Sequence, residues 1–233
     1  MKTKALLLSA GLGTRLRPIT FKTPKCLVNI NNIPIIEHWL LKLEKLGIEE
    51  VLVNTHYLAE KVDQFLKERA KSSLKITQVY EKDLYGTAGT LIKNKSFFDN
   101  SNILFIHADN YTTSDLSGLI EAFNNRPKKC LMTMLTFNTL DPKSCGVIEI
   151  DNQDIVKSFY EKVQNPPTNL ANGAIYLFNY NLIDWIVSQL PNCTDFSCEV
   201  IPLLINKINI WNVDRFFIDI GTPHSLELAN NNL

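Results

Sequence analysis

Runs of apolar residues alternate with amphipathic stretches along the first half of the chain. Residues 5–8 and 103–106 are continuously apolar, which is typical of parallel strands that are buried on both faces. Residues 34–46 carry apolar side chains at helical spacing and are followed by Gly47, which predicts an amphipathic helix. Alternating strands and helices imply right-handed crossovers and a mostly parallel sheet with helices on both faces. The pattern therefore predicts an α/β fold.

The rhythm changes in the second half, where short strands follow one another with irregular connections. This change predicts a β-rich insertion into the α/β fold. The predicted strands are 5–8, 51–55, 74–80, 103–106, 130–137, 146–150, 155–160, 174–178, 208–213 and 215–218. The predicted helices are 34–46, 59–69, a short helix after Gly86, 116–123, 182–190, 199–205 and 223–229.

The first predicted strand leads into a basic loop at residues 9–25, which we call the glycine loop. Gly11 and Gly13 would let backbone N–H groups approach an anion, and Arg15 and Lys25 supply positive charge. The loop lacks the Gly-Lys-Ser/Thr of a P-loop and the third glycine of a dinucleotide fingerprint. Taken alone, it is explained equally well as a phosphate site and as a solvated basic loop.

Charge and cysteine content restrict the classes of function. Lys plus Arg equals Asp plus Glu at 24 each, so no overall field attracts nucleic acid or an anionic membrane. Five cysteines without a CxxC pair argue against a disulfide framework and a thiolate zinc site, and favour a reducing compartment. The N-terminal apolar run is short for a signal peptide, and no run approaches the roughly 20 residues of a membrane span. We expect one compact cytoplasmic unit.

Two aspartates each follow an apolar strand. Asp109 comes after residues 103–106, and Asp219 precedes a Gly-Thr turn. In parallel sheets, ligands bind beyond the carboxyl ends of the strands, where the glycine loop is also expected. Two carboxylates beside phosphates predict a Mg²⁺ site. The alternative for each residue alone is a cap on the following helix.

Several motifs together resemble a known family over nearly the whole chain. They are Gly11-x-Gly-Thr-Arg-Leu-Arg-Pro, Thr23-Pro-Lys25, Gly86-Thr-Ala-Gly, Asp109, Glu161-Lys162, Asn172-Gly173 and Asp219-x-Gly-Thr. Their order and spacing resemble those of the sugar-1-phosphate nucleotidylyltransferases, especially the bacterial mannose-1-phosphate and heptose-1-phosphate guanylyltransferases. The resemblance implies a Rossmann-like three-layer nucleotidyltransferase fold. It also implies one catalytic domain, 1–233, with a nucleotide-binding part at about 1–125 and a sugar-binding part, containing the β-rich insertion, at about 126–233.

The resemblance also implies the reaction and the roles of single residues. An NTP and a sugar 1-phosphate would give an NDP-sugar and pyrophosphate, with Mg²⁺ as cofactor. The implied nucleotide-binding residues are Ala10, Gly11, Gly13, Thr14, Arg15, Glu81, Gly86 and Thr87. The implied sugar-phosphate-binding residues are Gly146, Glu161, Lys162 and Asn172. The implied metal ligands are Asp109 and Asp219, and the implied catalytic residues are Arg15, Lys25, Asp109 and Lys162.

Glu81 favours GTP among the nucleotides, because one carboxylate can accept both N–H donors on the edge of guanine. A Glu that faces solvent would look the same in sequence, so UTP or dTTP with a glucose-type or amino-sugar 1-phosphate stays an alternative. A catalytically silent nucleotide-sugar sensor is a different class of function; it predicts loss of Arg15, Lys25 or a metal aspartate, and all are present. A nicotinamide-dependent dehydrogenase would need the missing third glycine. Nothing in the sequence fixes the number of subunits, and a homo-oligomer is compatible with it.

Overall fold

The computed structural model describes residues 1–69 and 72–232, which form a mixed α/β fold. The strands are β1 (Thr3–Leu8), β2 (Asn29–Ile30), β3 (Ile33–Pro34), β4 (Glu50–Thr55), β5 (Lys75–Tyr80), β6 (Asn102–His107), β7 (Asn110–Thr112), β8 (Met132–Asn138), β9 (Gly146–Ile150), β10 (Val156–Glu161), β11 (Leu170–Asn179), β12 (Ile208–Asn212) and β13 (Phe217–Asp219). The helices are α1 (Ile35–Lys45), α2 (Ala59–Glu68), α3 (Gly86–Lys93), α4 (Ser117–Asn124), α5 (Asn181–Gln189) and α6 (Pro223–Asn231). None of the helices in the described ranges is long and apolar enough to span a membrane.

Contacts divide the chain into two compact units, each assembled from separate segments. The N-terminal unit consists of Thr3–Leu84, Phe105–Asp115 and Arg215–Leu233. The central unit consists of Met1–Lys2, Tyr85–Leu104 and Leu116–Asp214. The expectation of a single catalytic domain divided near residue 125 stays a prediction.

The N-terminal unit is built on strands in the order β6-β1-β4-β5, of which β6 contributes only its residues from Phe105 onward. Strand β1 pairs with β4 in parallel, and β4 pairs with β5 in parallel. In β1, Ala5, Leu6 and Leu7 have no exposed surface, as the continuous apolar run predicts for a strand covered on both faces. The fold class predicted from the sequence, α/β with a mostly parallel sheet, is confirmed.

Helix α1 shows how the local sequence sets the ends and the buried face of an element. It begins one residue after Pro34 and ends before Gly47, whose φ of 70° lies in the left-handed region that glycine favours. The amide of Ile48 donates to the carbonyl of Leu43 at 3.0 Å and closes the last turn. The buried residues recur at helical spacing and are Ile35, Ile36, Trp39, Leu40 and Leu43.

The central unit contains the predicted β-rich insertion. Its strands lie in the order β10-β9-β11-β8-β12. Most of these neighbours are antiparallel, and only the β12–β8 pair among them is parallel. The pairing of β11 with β8 shifts register between Asn172 and Tyr176, and Ala174 within this bulge has a φ of 50°.

The structure differs from the local predictions in one helix and in three short strands, β2, β3 and β7, that were not predicted. The segment predicted as a helix at 199–205 is a π-helical turn, Phe196–Val200, followed by a 3-10 turn, Ile201–Leu204. Pro202 lies in the 3-10 turn and has no N–H to donate to an α-helical ladder. Strand β7 was not predicted, because its three residues pair with β13, which lies more than a hundred positions later in the sequence.

Candidate active site

The glycine loop is a series of short 3-10 turns that begins where β1 ends. Gly13 has a φ of 64°, and its carbonyl accepts a hydrogen bond from the Thr20 hydroxyl at 2.7 Å. A Cβ at Gly13 would lie 2.9 Å from the Thr20 methyl and 3.2 Å from the Cβ of Lys25, so packing and backbone both require glycine here. Gly11 faces open space, where a Cβ would meet nothing within 4 Å.

A cluster of two cations and two carboxylates lies at the end of this loop, and we call it the charged cluster. Lys25 Nζ lies 2.5 Å from Asp109 Oδ2 and 3.3 Å from Asp219 Oδ1. Arg15 Nη2 lies 3.5 Å from Asp219 Oδ2. The N-terminal unit therefore brings together Arg15, Lys25 and both aspartates that the sequence singled out.

The electrostatics of the cluster keep Asp109 ionised. Burial by itself would favour the neutral acid, but the charges of Lys25 and His107 and the hydrogen bond from Lys25 together lower the pKa of Asp109. Lys25 is itself buried, so its ammonium group is compensated mainly by the two carboxylates. Arg17, a third basic residue of the loop, instead stacks over the Phe21 ring at 5.1 Å.

Backbone pairing holds the two aspartates side by side. Strand β7 follows Asp109 and pairs antiparallel with β13, which places Asn110 opposite Asp219. The amide of Ile220 donates to the carbonyl of Asp109 at 3.0 Å. The helix-capping alternative does not apply to Asp219, because Thr222 caps α6 by accepting from the amide of Ser225. It does not apply to Asp109 either, because a strand follows it.

The charged cluster fits a magnesium ion that also binds phosphate. Asp109 and Asp219 direct carboxylate oxygens at one ammonium group, so both can reach a common cation. Among the described residues, no group of three or more His, Cys, Asp or Glu side chains could hold a metal alone. Mg²⁺ that binds nucleotides is commonly held by one or two carboxylates, while water and phosphate oxygens fill its remaining coordination positions.

Glu81 has no exposed surface, although the sequence favoured a contact with a base. Its Oε1 accepts a hydrogen bond from Asn54 Nδ2 at 2.9 Å, and its carbonyl pairs with His56 Nδ1 at 2.8 Å. Asn54 Oδ1 in turn accepts from the amide of Ser9 at 2.7 Å. Of the other predicted nucleotide-binding residues in this unit, Ala10 is buried and Thr14 is exposed.

Gly86 and Thr87 belong to the central unit, where they pack against the segment before the π-helical turn. Gly86 has a φ of 75°, and a Cβ there would overlap the carbonyl of Thr194. The Thr87 hydroxyl accepts a hydrogen bond from the amide of Phe196 at 2.8 Å. The amide of Ala88 donates to the carbonyl of Thr194 at 2.9 Å. These contacts give the motif a packing function, and its contact with the nucleotide stays a prediction.

The predicted sugar-phosphate-binding residues also lie in the central unit. Gly146 and Glu161 are opposite each other in the β9–β10 pair, and a Cβ at Gly146 would lie 2.6 Å from Glu161 Oε2. Lys162 has a φ of 48°, its ammonium lies 3.2 Å from Glu161 Oε1, and its side chain is largely exposed. The glycine thus leaves room for the Glu161 carboxylate, beside which Lys162 offers an accessible cation.

Asn172, at the β11 bulge, belongs to a chain of polar groups that the sequence did not indicate. Asn172 Nδ2 donates to the Tyr176 hydroxyl at 2.7 Å, and this hydroxyl lies 3.4 Å from Ser197 Oγ. Burial raises the pKa of Tyr176 above its ordinary value, so the phenol stays neutral. Charges on Glu161 and Asp195 act on the phenol in the same direction. Tyr176 reads as a core aromatic residue in the sequence, which is why it was missed.

Known proteins resemble this chain over most of its length. The family model described as nucleotidyl transferase matches residues 4–233. The mannose-1-phosphate guanylyltransferase catalytic subunit beta of Drosophila melanogaster is 33% identical over 226 residues, which cover 95% of this chain and 60% of the relative. The mannose-1-phosphate guanylyltransferase of Mycobacterium tuberculosis is 29% identical, over 94% of this chain and 61% of the relative. The chain thus spans about 60% of the length of these relatives.

Solved structures match over nearly the whole chain. A proposed glucose-1-phosphate thymidylyltransferase from Bacillus anthracis, in complex with sucrose, superposes with a TM-score of 0.88 and 25% identity, covering 98% of this chain and 94% of the other. HddC from Yersinia pseudotuberculosis, in complex with GMP-PN, has a TM-score of 0.81 at 22% identity, with 98% of each chain covered, and this likeness concerns the fold. Together with the family match over residues 4–233, these findings lead to one conclusion: the chain belongs to the nucleotidyl transferase family.

Proposed function

We propose that this protein transfers a nucleotidyl group from GTP to a sugar 1-phosphate of the mannose or heptose type, releasing pyrophosphate. The observation that carries the proposal is the charged cluster of Arg15, Lys25, Asp109 and Asp219 at the end of the glycine loop. A nucleotidyl transfer needs positioning and charge neutralisation rather than a protein nucleophile, and these four side chains supply both.

In the reaction, an oxygen of the sugar phosphate attacks the α-phosphorus of the NTP and forms a new P–O bond. The bond between the α-phosphorus and the oxygen that bridges to the β-phosphorus breaks, and pyrophosphate leaves with that electron pair. Arg15 stabilises the charge that accumulates on the leaving pyrophosphate. Lys25, held between two carboxylates, neutralises the reacting phosphates, and the backbone of residues 11–14 binds the nucleotide.

Asp109 and Asp219 would hold Mg²⁺ in this reaction. When bound there, the ion would supply Lewis-acid polarisation of the α-phosphate. Asp109 suits this task because, although burial favours the neutral acid, the charge of Lys25 lowers the pKa of Asp109 below the ordinary aspartate value. In the central unit, we assign the exposed ammonium of Lys162 to the sugar phosphate. We assign Glu161, Asn172 and the backbone near Gly146 to the sugar hydroxyls.

The choice of GTP is supported by the names of the relatives, which are guanylyltransferases at 29–33% identity. The alternative of dTTP or UTP with a glucose-type or amino-sugar 1-phosphate is supported by the likeness to the Bacillus anthracis structure. A cytoplasmic location and a homo-oligomeric state stay predictions.

The test is a grid of nucleotides and sugars. The protein with Mg²⁺ is incubated with each of the five common NTPs and with mannose-, glucose- or heptose-1-phosphate, and pyrophosphate release is measured. We expect release only when both substrates are present, and the fastest release with GTP. Folded protein that turns over in no cell of the grid would favour the sensor alternative.

The metal assignment is tested by Asp109→Asn and Asp219→Asn. Each should lower kcat by about a hundredfold or more, because a charge clamp on the reacting phosphate is lost. Asp63→Asn is the matched control, since Asp63 lies on α2 and pairs with Lys67 at the surface. If either cluster variant keeps the activity of the control, its residue is not a metal ligand.

A further inference from the structure

A buried hydrogen-bonded chain connects Glu81 to the first residue of the glycine loop. The Ser9 amide donates to Asn54 Oδ1 at 2.7 Å, and Asn54 Nδ2 donates to Glu81 Oε1 at 2.9 Å. The exposed fractions of Ser9, Asn54 and Glu81 are 9%, 3% and 0%. These three residues follow strands β1, β4 and β5 or lie at their ends, although 45 and 27 positions separate them in sequence.

The direction of each hydrogen bond in this chain is fixed by the next group. A side-chain amide has a donor end and an acceptor end, and the Ser9 amide can pair only with the acceptor end. Glu81 Oε1 accepts from the donor end of Asn54, so it holds this end away from Ser9. Without an acceptor at Glu81, Asn54 would lose the 2.9 Å hydrogen bond that directs its donor end toward β5.

The hydrogen-bonded chain from Glu81 to Ser9 anchors the start of the glycine loop on one side, and the turn at Asp109 anchors it on the other. The carbonyl of Leu8, one residue earlier, accepts a hydrogen bond from the amide of Ala108 at 3.0 Å. Glu81 is itself held by its backbone, since its amide donates to the carbonyl of Thr55 at 2.8 Å. The peptide before Ser9 is therefore bonded at both its N–H and C=O groups, and Gly11 follows two residues later.

We propose that Asn54 and Glu81 are positioning residues that fix the start of the nucleotide-binding loop, in place of a direct contact between Glu81 and the base. A carboxylate without exposed surface has no face to offer guanine, and its Oε1 is already occupied by Asn54. The inference rests on the proposed function for its link to nucleotide binding. It makes the contribution of Glu81 the same for every base, so that selection of GTP comes from other groups.

Steady-state kinetics with GTP, ATP and UTP test the proposal in four proteins. Glu81→Leu removes the acceptor, and it should raise KM about tenfold by the same factor for each nucleotide, the effect of one lost hydrogen bond. KM for the sugar 1-phosphate should not change. Glu81→Gln keeps a carbonyl acceptor for Asn54, so its KM values should rise less than about threefold. Thr55→Val is the control. Thr55 is about as buried as Asn54, which precedes it, but its hydroxyl oxygen accepts a hydrogen bond from Gln78 Nε2.

The two interpretations of Glu81 predict opposite results for Glu81→Gln. A positioning residue gives the same small change for all three nucleotides, whereas a residue that reads guanine gives a selective loss of GTP. A selective tenfold loss of GTP in Glu81→Gln would overturn the proposal. This variant decides the question even if Glu81→Leu does not fold.

Amide hydrogen exchange tests the hydrogen-bonded chain without any need for enzymatic turnover. The Ser9 amide should be protected in the wild type and in Thr55→Val, and it should exchange at least tenfold faster in Asn54→Ala, which removes its acceptor. Equal exchange in Asn54→Ala and in the wild type would overturn the proposal. If the wild type turns over no substrate but Ser9 exchange follows this pattern, the proposed function fails while the positioning of the loop stands.

Discussion

Replacing Lys25 by methionine tests whether the charged cluster is a cation site. Removing one partner of a buried ion pair typically costs about 3–5 kcal/mol of stability, because the other charge is left uncompensated. Here the side chains of Asp109 and Asp219 are 32% and 47% exposed, so water screens them in part. We expect Lys25→Met to lower the free energy of unfolding by about 1–2 kcal/mol, since solvent screening reduces the penalty. For a chain of this size, that corresponds to a fall in Tm of about 2–8 °C.

Thermal unfolding with EDTA and with magnesium chloride measures this effect. Mg²⁺ should raise the Tm of Lys25→Met more than that of the wild type, because the ion replaces the missing ammonium between the two carboxylates. Lys61→Met is the matched control, since Lys61 is exposed and donates to the carbonyl of Lys22. The reasoning would be refuted if Lys25→Met had the Tm of the wild type in EDTA. It would also be refuted if Mg²⁺ raised the Tm of the wild type and of Lys25→Met by the same amount.

Three further substitutions test other parts of the structure. Arg69→Met removes a nearly buried guanidinium whose Nη1 lies 2.9 Å from Glu44 Oε1 in an ion pair, and it should lower stability by about 1–3 kcal/mol. Hydrogen bonding by Arg69 lowers the pKa of Glu44, so the stability lost in Arg69→Met should be largest at neutral pH. The difference in free energy of unfolding between the two proteins should shrink as the pH falls below the ordinary glutamate value of 4.5, and urea unfolding across pH would measure it. Gly221→Ala places a Cβ 2.6 Å from the Nη2 of the flexible Arg15, so kcat should fall while the Tm stays within about 2 °C, and unchanged kcat would contradict the role of Arg15. Tyr176→Phe removes the acceptor of an Asn172 hydrogen bond, so KM for the sugar 1-phosphate should rise about fivefold to tenfold while KM for the NTP does not, and a change confined to the NTP would contradict the assignment.

Most of the secondary structure was predictable because burial leaves a local pattern. The continuous apolar run at 103–106 corresponds to β6, and the strand predicted at 146–150 coincides with β9. Elements that depend on distant partners left no such pattern. Strand β7 exists because β13 pairs with it, and the turns at Phe196–Val200 and Ile201–Leu204 replace the predicted helix at 199–205.

The candidate site was predictable where its chemistry needs a particular residue type. Carboxylates after buried strands and cations in a glycine loop led to Asp109, Asp219, Arg15 and Lys25, and the structure brings these four together. The likeness to a family added the reaction and the sugar-binding assignments. Those assignments rest on motif positions, and the contacts of the central unit support them without testing them.

The sequence by itself determined the α/β class, the order of most strands and helices, and the types of charged residue that the site would contain. Tertiary structure decided what each polar group does. Glu81 follows β5, and the sequence favoured a contact between its carboxylate and a base. In the structure, β4 places Asn54 against Glu81, and Asn54 accepts a hydrogen bond from the amide of Ser9, which lies 45 positions earlier in the sequence. The physical reason is that burial and hydrogen bonding are properties of groups brought together by folding. A local sequence pattern records which face of a strand is apolar, but it does not record which distant donor meets a given carboxylate.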